Sequence, residues 1–310
     1  MEYTISQNQA GNRLDKFLTE AVGGTTRSQL QKSIKDGSVL VNGQPTTPHQ
    51  FLKTGDVVTF GRTKEKKTKE KPAATKTKMP EVEIIGESDD YIVVNKPSGL
   101  LVHGDEHTTE PTLATWLLSK YPDVASVGDD PFRPGIVHRL DKDVSGLMVI
   151  AKNQKFFNKI KKQFQNRTIF KRYTALAYGK VARDEFTINF NIERATSGHK
   201  MAAKPTNQEG KEAESEVAVI KRYINYTLAK VRIKTGRTHQ IRAHLAAYGN
   251  PIVGDQVYGT STAKKMNAKL KTDRIYLVSD ELTFKDAANK KQSFTIELPE
   301  AFAKMLTIIK

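Results

Sequence analysis

Cysteine is absent from the 310 residues, which excludes disulfide scaffolds, thiolate zinc sites, iron–sulfur clusters and cysteine nucleophiles. No run of about 18 apolar residues occurs, so no spanning helix is expected. The polar start, MEYTISQNQA, lacks the basic–apolar–small order of a secretory leader. A cytoplasmic protein with no membrane partner is the expectation. Neither G-x-G-x-x-G nor a P-loop string is present, so nothing supports a nucleotide cofactor. Acidic residues are scarce: 34 Asp and Glu stand against 50 Lys and Arg, a formal charge of +16. That excess attracts polyanions, of which nucleic acid is the commonest in a cytoplasm, although it also serves simply to solvate a surface.

The length suggests about two domains, and 37% apolar content argues against a chain that is disordered throughout. Residues 62–79 hold eight Lys or Arg, two Glu and no large aliphatic residue. Such a stretch cannot bury a core, so 62–80 is expected to be a flexible basic linker between a small domain, 1–61, and a larger one, 81–310. In the small domain, Leu14, Phe17, Leu18 and Ala21 recur at helical spacing and Gly23-Gly24 ends the helix. A second helix is expected from Ser28 to Asp36, and Asn42-Gly43 after Val39-Leu40-Val41 signals a type I′ hairpin. Two short helices with Arg27, Ser28 and Lys32 on their polar side can present a basic face to phosphates.

The larger part reads as α+β. Strands are expected at Val82–Ile85, Tyr91–Asn95, Leu147–Ala151, Tyr173–Ala177, Phe186–Phe190, Glu216–Ile220 and Leu228–Ile233. Helices are expected at Thr112–Lys120, Gln154–Asn166 and Thr238–Tyr248. Helices at irregular intervals favour a mixed or mostly antiparallel central sheet with flanking helices over a doubly wound parallel one.

Two segments combine ionisable residues with glycine turns. Pro134 to Ile150 places His138, Arg139, Asp141 and Lys142 on a polar turn that feeds an apolar strand. A charged turn joined to a buried strand is held rigidly, as a catalytic group requires. Thr235 to Leu245 places Arg237, His239 and Arg242 at the start of a helix that Thr238 could cap and Gly249 could end. His239 and His244 lie five apart, about 140° around a helix, which disfavours a shared metal. Ser145, His138 and Asp141 could form a triad, but no G-x-S-x-G elbow accompanies them. An acid–base pair of His138 and Asp141, or Asp141 kept ionised by Arg242, remain open on the residues alone.

The strings NKPSGLLVH, HRLDKDVSGLMVIAK, FKRYTALAYG and GRTHQIRAHLAAYGNPIVGDQVYG resemble, in order, the successive motifs of the RluA-type pseudouridine synthases. RLDKFL, TRSQLQKSIKDGSVLVNG and LKTGDVV resemble the αL RNA-binding module named after a small-subunit ribosomal protein. The resemblance implies the pseudouridine synthase fold behind a small αL domain. It implies a cofactor-free isomerisation of uridine in RNA, most often large-subunit ribosomal RNA; on oligomeric state the sequence is silent, and a monomer is the default expectation. It implies Asp141 as the catalytic carboxylate, with Arg242 keeping it charged and Tyr173 against the uracil face. Ile241 would press on the other face, Arg139 would fill the space of the extruded base, His138 would shape the turn on the RNA-binding side, and Arg237 would meet phosphate or solvent. The sequence departs from the family pattern at Val144, usually threonine, and at Arg274–Ser279, where the pattern's histidine is missing.

Overall fold

The structure, a computed structural model, describes residues 2–22, 30–31, 33–34, 37–60, 79–105, 108–195 and 200–309. Arg27, Ser28 and Lys32, most of the helix expected around them and nearly all of the basic segment 62–80 lie outside the described residues. The chain divides into two compact units, Met1–Thr75 and Lys76–Lys310. Among the described residues no helix is long and apolar enough to cross a membrane.

In the first unit, helix α1 (Leu14–Ala21) packs Leu14, Phe17 and Leu18 against Leu30, Ile34 and a four-stranded antiparallel sheet. The sheet runs β1 (Glu2–Thr4), β4 (Val57–Phe60), β2 (Val39–Val41), β3 (Gln44–Pro45). Asn42 and Gly43 join β2 to β3 with φ of 53° and 75°, the two left-handed residues of a type I′ turn. Asn42 fixes its own turn, because its side chain accepts from the Val57 N–H at 2.8 Å and donates to Asp56 at 2.9 Å.

The second unit is a nine-stranded mixed sheet with helices against it. Its order is β5 (Glu83–Glu87), β6 (Tyr91–Lys96), β7 (Ser145–Ala151), β14 (Leu277–Lys285), β8 (Phe170–Tyr178), β13 (Tyr226–Ile233), β12 (Ser215–Arg222), β9 (Glu185–Ile188). Strand β15 (Lys291–Thr295) pairs with β14, and β10 (Asn191–Arg194) with β11 (Met201–Lys204) form a separate ribbon. Every pairing is antiparallel except β7 with β14. The sequence SGLMVIA is buried at all seven positions, as a central strand covered on both faces must be. Helix α2 (Leu113–Lys120) starts with a reciprocal Thr112/Thr115 cap, and α3 (Gln154–Gln165) starts where Asn153 accepts from the Phe156 N–H at 2.9 Å. Their apolar faces, Leu113, Leu117, Phe156, Phe157 and Ile160, cover the sheet. Helices α4 (Gln240–Ala247), α5 (Ser261–Lys269) and α6 (Glu300–Ile308) complete the unit.

The expected strands all exist, each within a few residues of its sequence bounds, and the sheet is mixed as anticipated. The expectation omitted β10, β11, β14, β15, α5 and α6. Strand β14 matters most, since it lies between β7 and β8 at the centre of the sheet.

The β7–β14 seam is only two residue pairs long, Ser145 with Val278 and Gly146 with Ser279. Gly146 sits at φ 125°, and a Cβ there would lie 2.2 Å from the Ser279 carbonyl oxygen. Only glycine fits both the backbone and the approach. Gly146→Ala is therefore expected to lower unfolding stability by about 3 kcal/mol, read from urea denaturation. An unchanged midpoint would show that the seam can part without loss.

Candidate active site

A cleft of about 520 Å³ opens on the second unit between the turn before β7, the middle of β8 and the start of α4. That size suits one nucleotide-sized ligand. Its lining includes Asp141, Tyr173, Arg242, His138, Arg139, Ile241 and Arg237, so the structure brings these seven sequence candidates together. Among the described lining residues Asp141 is the only carboxylate, facing Arg133, Arg139, Arg167, Lys171, Lys234, Arg237 and Arg242.

Asp141 leaves the turn Leu140–Val144, which is tied down from both sides. The Val144 N–H bonds to the Asp141 carbonyl at 3.1 Å, and the Gly99 N–H to the Lys142 carbonyl at 2.9 Å. The fully buried Lys96 ammonium donates to the carbonyls of Pro97, Leu100 and Lys142 at 2.8–3.0 Å, and burial lowers its pKa to about 7. His138 braces the same turn. Its Nε2 accepts from the Val149 N–H of β7 at 3.1 Å, and its ring stacks on Phe164 with centroids 4.6 Å apart. Burial drives the His138 pKa to about 3, with the Lys171 charge adding to the effect, so the ring is neutral at pH 7. His138 uses its free lone pair on the strand and holds the turn while also lining the cleft.

Arg242 joins two carboxylates. Its Nη1 donates to Asp141 Oδ2 at 3.1 Å, while Nε and Nη2 form a two-pronged contact with Asp255 at 2.8 and 3.1 Å. Burial by itself would lower the arginine pKa, but the Asp255 and Asp141 carboxylates outweigh it and the value is raised. Asp255 is fully buried, which would raise its pKa; the Arg242 guanidinium and the N–H groups of Tyr258 and Val257 reverse this and lower it. The tyrosine after that turn is used as well. Tyr258 lies 5.2 Å from the guanidinium, ring to charge, and its hydroxyl accepts from the Met201 N–H at 2.7 Å. It can then donate to His239 Nδ1 at 3.0 Å, which leaves the proton on Nε2, 3.9 Å from Asp141.

Tyr173, on β8, is almost fully buried, and its phenol pKa is raised by that burial; the Ser279 hydroxyl opposes the shift and the Asp141 charge adds to it. The phenol is protonated at neutral pH. Ile241, 5% exposed, opens the first turn of α4 toward the same cleft. Arg139 is exposed and has no ion pair among the described residues. Arg237 donates from Nε to the Glu212 carbonyl at 3.0 Å, and Lys142 is paired with Glu110 at 2.6 Å rather than left for phosphate.

The start of α4 differs from expectation. Thr238 does not cap it; His239 occupies that position at φ 54° with no side-chain cap bond. Gln240, in the first turn, ties the helix to the residues before it instead. Its Oε1 accepts from the Arg237 N–H at 3.0 Å and the Thr235 hydroxyl at 2.7 Å, and its Nε2 donates to the Glu214 carbonyl at 2.9 Å. The left-handed residue swings His239 and Arg242 toward Asp141. Asp255, Tyr258 and Gln240 were not singled out by sequence reasoning. The available signal for Asp255 was a lone acid in NPIVGDQVYG, a glycine-bounded loop directly after a helix carrying arginine.

The neutral burial of His138 has a measurable consequence. Unfolded, the ring titrates near 6.5; folded, near 3. Between those values the unfolded chain binds a proton that the folded chain refuses, so this contribution is complete above pH 6.5 and is lost as pH falls toward 3. His239 and His244 are lowered by burial as well and act in the same direction. His138→Gln, whose amide oxygen can still accept from Val149, is expected to lose less stability than wild type between pH 7 and pH 4.5 in urea titrations. Equal losses would show that His138 is not held neutral.

Comparison with known proteins bears on this cleft. The profile of the RNA pseudouridylate synthase family matches residues 90–247, and that of the S4 domain matches residues 12–58. An uncharacterized RNA pseudouridine synthase of Aquifex aeolicus is 40% identical, covering 94% of this chain and 91% of that protein. Ribosomal large subunit pseudouridine synthase D of Escherichia coli K12 is 36% identical, covering 83% and 75% respectively. Human RNA pseudouridylate synthase domain containing 1 shares the fold, with a TM-score of 0.58 and 24% identity over 71% of this chain and 84% of that one. The chain therefore belongs to the RNA pseudouridylate synthase family, as an isomerase acting on RNA with an RNA-binding S4 domain ahead of its catalytic unit.

Proposed function

We propose that this protein converts specific uridines of large-subunit ribosomal RNA to pseudouridine, with Asp141 as the catalytic carboxylate and the target base extruded from its stack. The observation that carries the reading is the lone carboxylate in a cationic cleft, hydrogen-bonded at 3.1 Å to an arginine that is itself anchored on a buried acid. The substrate class follows the name of the Escherichia coli relative.

The reaction moves the sugar from one ring atom of uracil to another. The C1′–N1 bond breaks, the freed ring turns, a C1′–C5 bond forms, the C5 proton leaves and N1 gains one. Asp141 either adds to C1′ as N1 departs or removes the 2′ hydrogen to give a glycal; both routes use the carboxylate form. The charge-assisted bond from Arg242 holds one oxygen of Asp141 and leaves the second without a hydrogen bond among the described residues. Tyr173 and Ile241 would hold the uracil between a ring face and an aliphatic edge while it turns. Because the Tyr173 phenol is protonated at rest, it would give or relay a proton before it could take one from C5. Extrusion of the base costs a few kcal/mol of stacking and pairing, and the unpaired guanidinium of Arg139 is suited to fill the vacated position.

Wild-type protein is expected to release tritium from transcribed ribosomal RNA labelled with [5-³H]uridine, whereas Asp141→Asn releases none yet binds the RNA as tightly. Release by the variant would remove Asp141 from its role. The S4 domain would grip structured RNA away from the reacting base. Deleting residues 1–60 is then expected to weaken binding to large-subunit RNA more than it slows turnover of a short stem-loop. Equal binding by the truncated protein would count against that division of labour.

A further inference from the structure

Among the described residues, the cleft holds a buried lysine with no anionic partner. Lys171 precedes Tyr173 by two residues on β8, so both side chains leave the same face of the strand and both line the cleft. Lys171 is only 8% exposed, yet its ammonium has no hydrogen bond or ion pair among the described residues. Its neighbours are the ring face of Phe164, 5.6 Å away, and the bare backbone of Gly236, where an added Cβ would lie 3.5 Å from Nζ. Among the other cations of the cleft, Arg242 is matched by Asp255 and Asp141, Lys234 by Glu214 and Glu216 and Arg167 by Glu212, whereas Arg139 is exposed to water. A largely buried ammonium without an anion disfavours the folded chain, and an apolar side chain of the same length would suit that place better.

We propose that Lys171 is a phosphate subsite, which takes the backbone phosphate beside the extruded uridine. This rests on the reading that the cleft admits a flipped nucleotide of RNA. Two positions along a strand are roughly 7 Å apart, a separation comparable to that between a base and the phosphate on its own sugar. With the uracil at Tyr173, the sugar at Asp141 and no side chain on Gly236, the way from the ammonium to that phosphate is open. A uracil carbonyl is a weaker candidate, since a neutral acceptor does not balance a full charge. Burial alone lowers the Lys171 pKa to about 8, with no carboxylate close enough to restore it, as expected where the balancing anion arrives with the substrate.

The test uses the full chain, a fluorescent octauridylate probe and a potassium chloride series. Lys171→Met is expected to weaken binding severalfold and to reduce the slope of log Kd against log salt by about 0.7, the value for one phosphate contact to a single strand. Lys171→Arg should keep the slope. The unfolding temperature of Lys171→Met should equal or exceed that of wild type, because an unbalanced charge has been removed. In wild type, octauridylate should protect Lys171 from amine-selective acetylation at pH 8, read by mass spectrometry; this decides the matter if Lys171→Met does not fold. An unchanged slope, or labelling that ignores the RNA, overturns the proposal. A lowered unfolding temperature with an unchanged slope assigns Lys171 to the fold instead. Absence of tritium release by wild type would refute the catalytic reading while leaving the salt slope to judge this one.

Discussion

The catalytic unit depends on one guanidinium shared between two acids. Arg242 is 4% exposed, and an arginine so placed persists only if its charge is answered. Asp255 answers it with both oxygens, and Asp255 is in turn held by two backbone N–H groups. The remaining donor of Arg242 reaches Asp141. Two negative charges and one positive leave the cleft wall with a net negative point in surroundings that are otherwise cationic. Losing either end of such a buried pair while keeping the other is costly, about 3–5 kcal/mol. The cleft carboxylate Asp141 is thus supported by the stability of the fold.

The loop that supplies Asp255 also orients the helix it follows. Tyr258 covers the guanidinium, receives the Met201 N–H of the β10–β11 ribbon and bonds to His239. Three parts of the chain far apart in sequence therefore meet at one phenol. Gln240 and His244 fasten the opposite side of α4, His244 through the Ser215 hydroxyl at 3.0 Å and the Phe190 carbonyl at 2.9 Å. His239 and His244 were weighed as a metal pair at the level of sequence. Both rings have protein hydrogen-bond partners that fit their neutral forms.

What could be read from sequence was whatever lies contiguous along it. The turn from His138 into β7 carries charge followed by an unbroken apolar run, and each half explains the other. Helix α3 announces itself through Asn153 and the spacing of Phe156, Phe157 and Ile160. The Asn42-Gly43 hairpin needs nothing but its own two residues. Strand β14 was invisible because its place between β7 and β8 follows from pairing with residues more than 100 positions away, not from any local pattern. The left-handed His239 was missed for a related reason: Thr238 beside the helix start is a local capping signal, whereas the bonds of Gln240 to Thr235, Arg237 and Glu214 depend on what folds around it. Asp255 and Lys171 each looked like one more surface charge, since burial of a charged group is decided by what folds over it.

Strand β14 is among the last parts of the sheet to be synthesised, yet it is the piece that joins the strand leaving Asp141 to the strand bearing Tyr173. A nascent polypeptide emerging from the ribosome possesses every reactive side chain well before it possesses the connecting strand. The two parts of the sheet are joined only once the chain has been made as far as residue 279. The sheet that frames the cleft is thus completed by one of its latest strands, and a chain stopped short of that strand lacks the seam between its two halves.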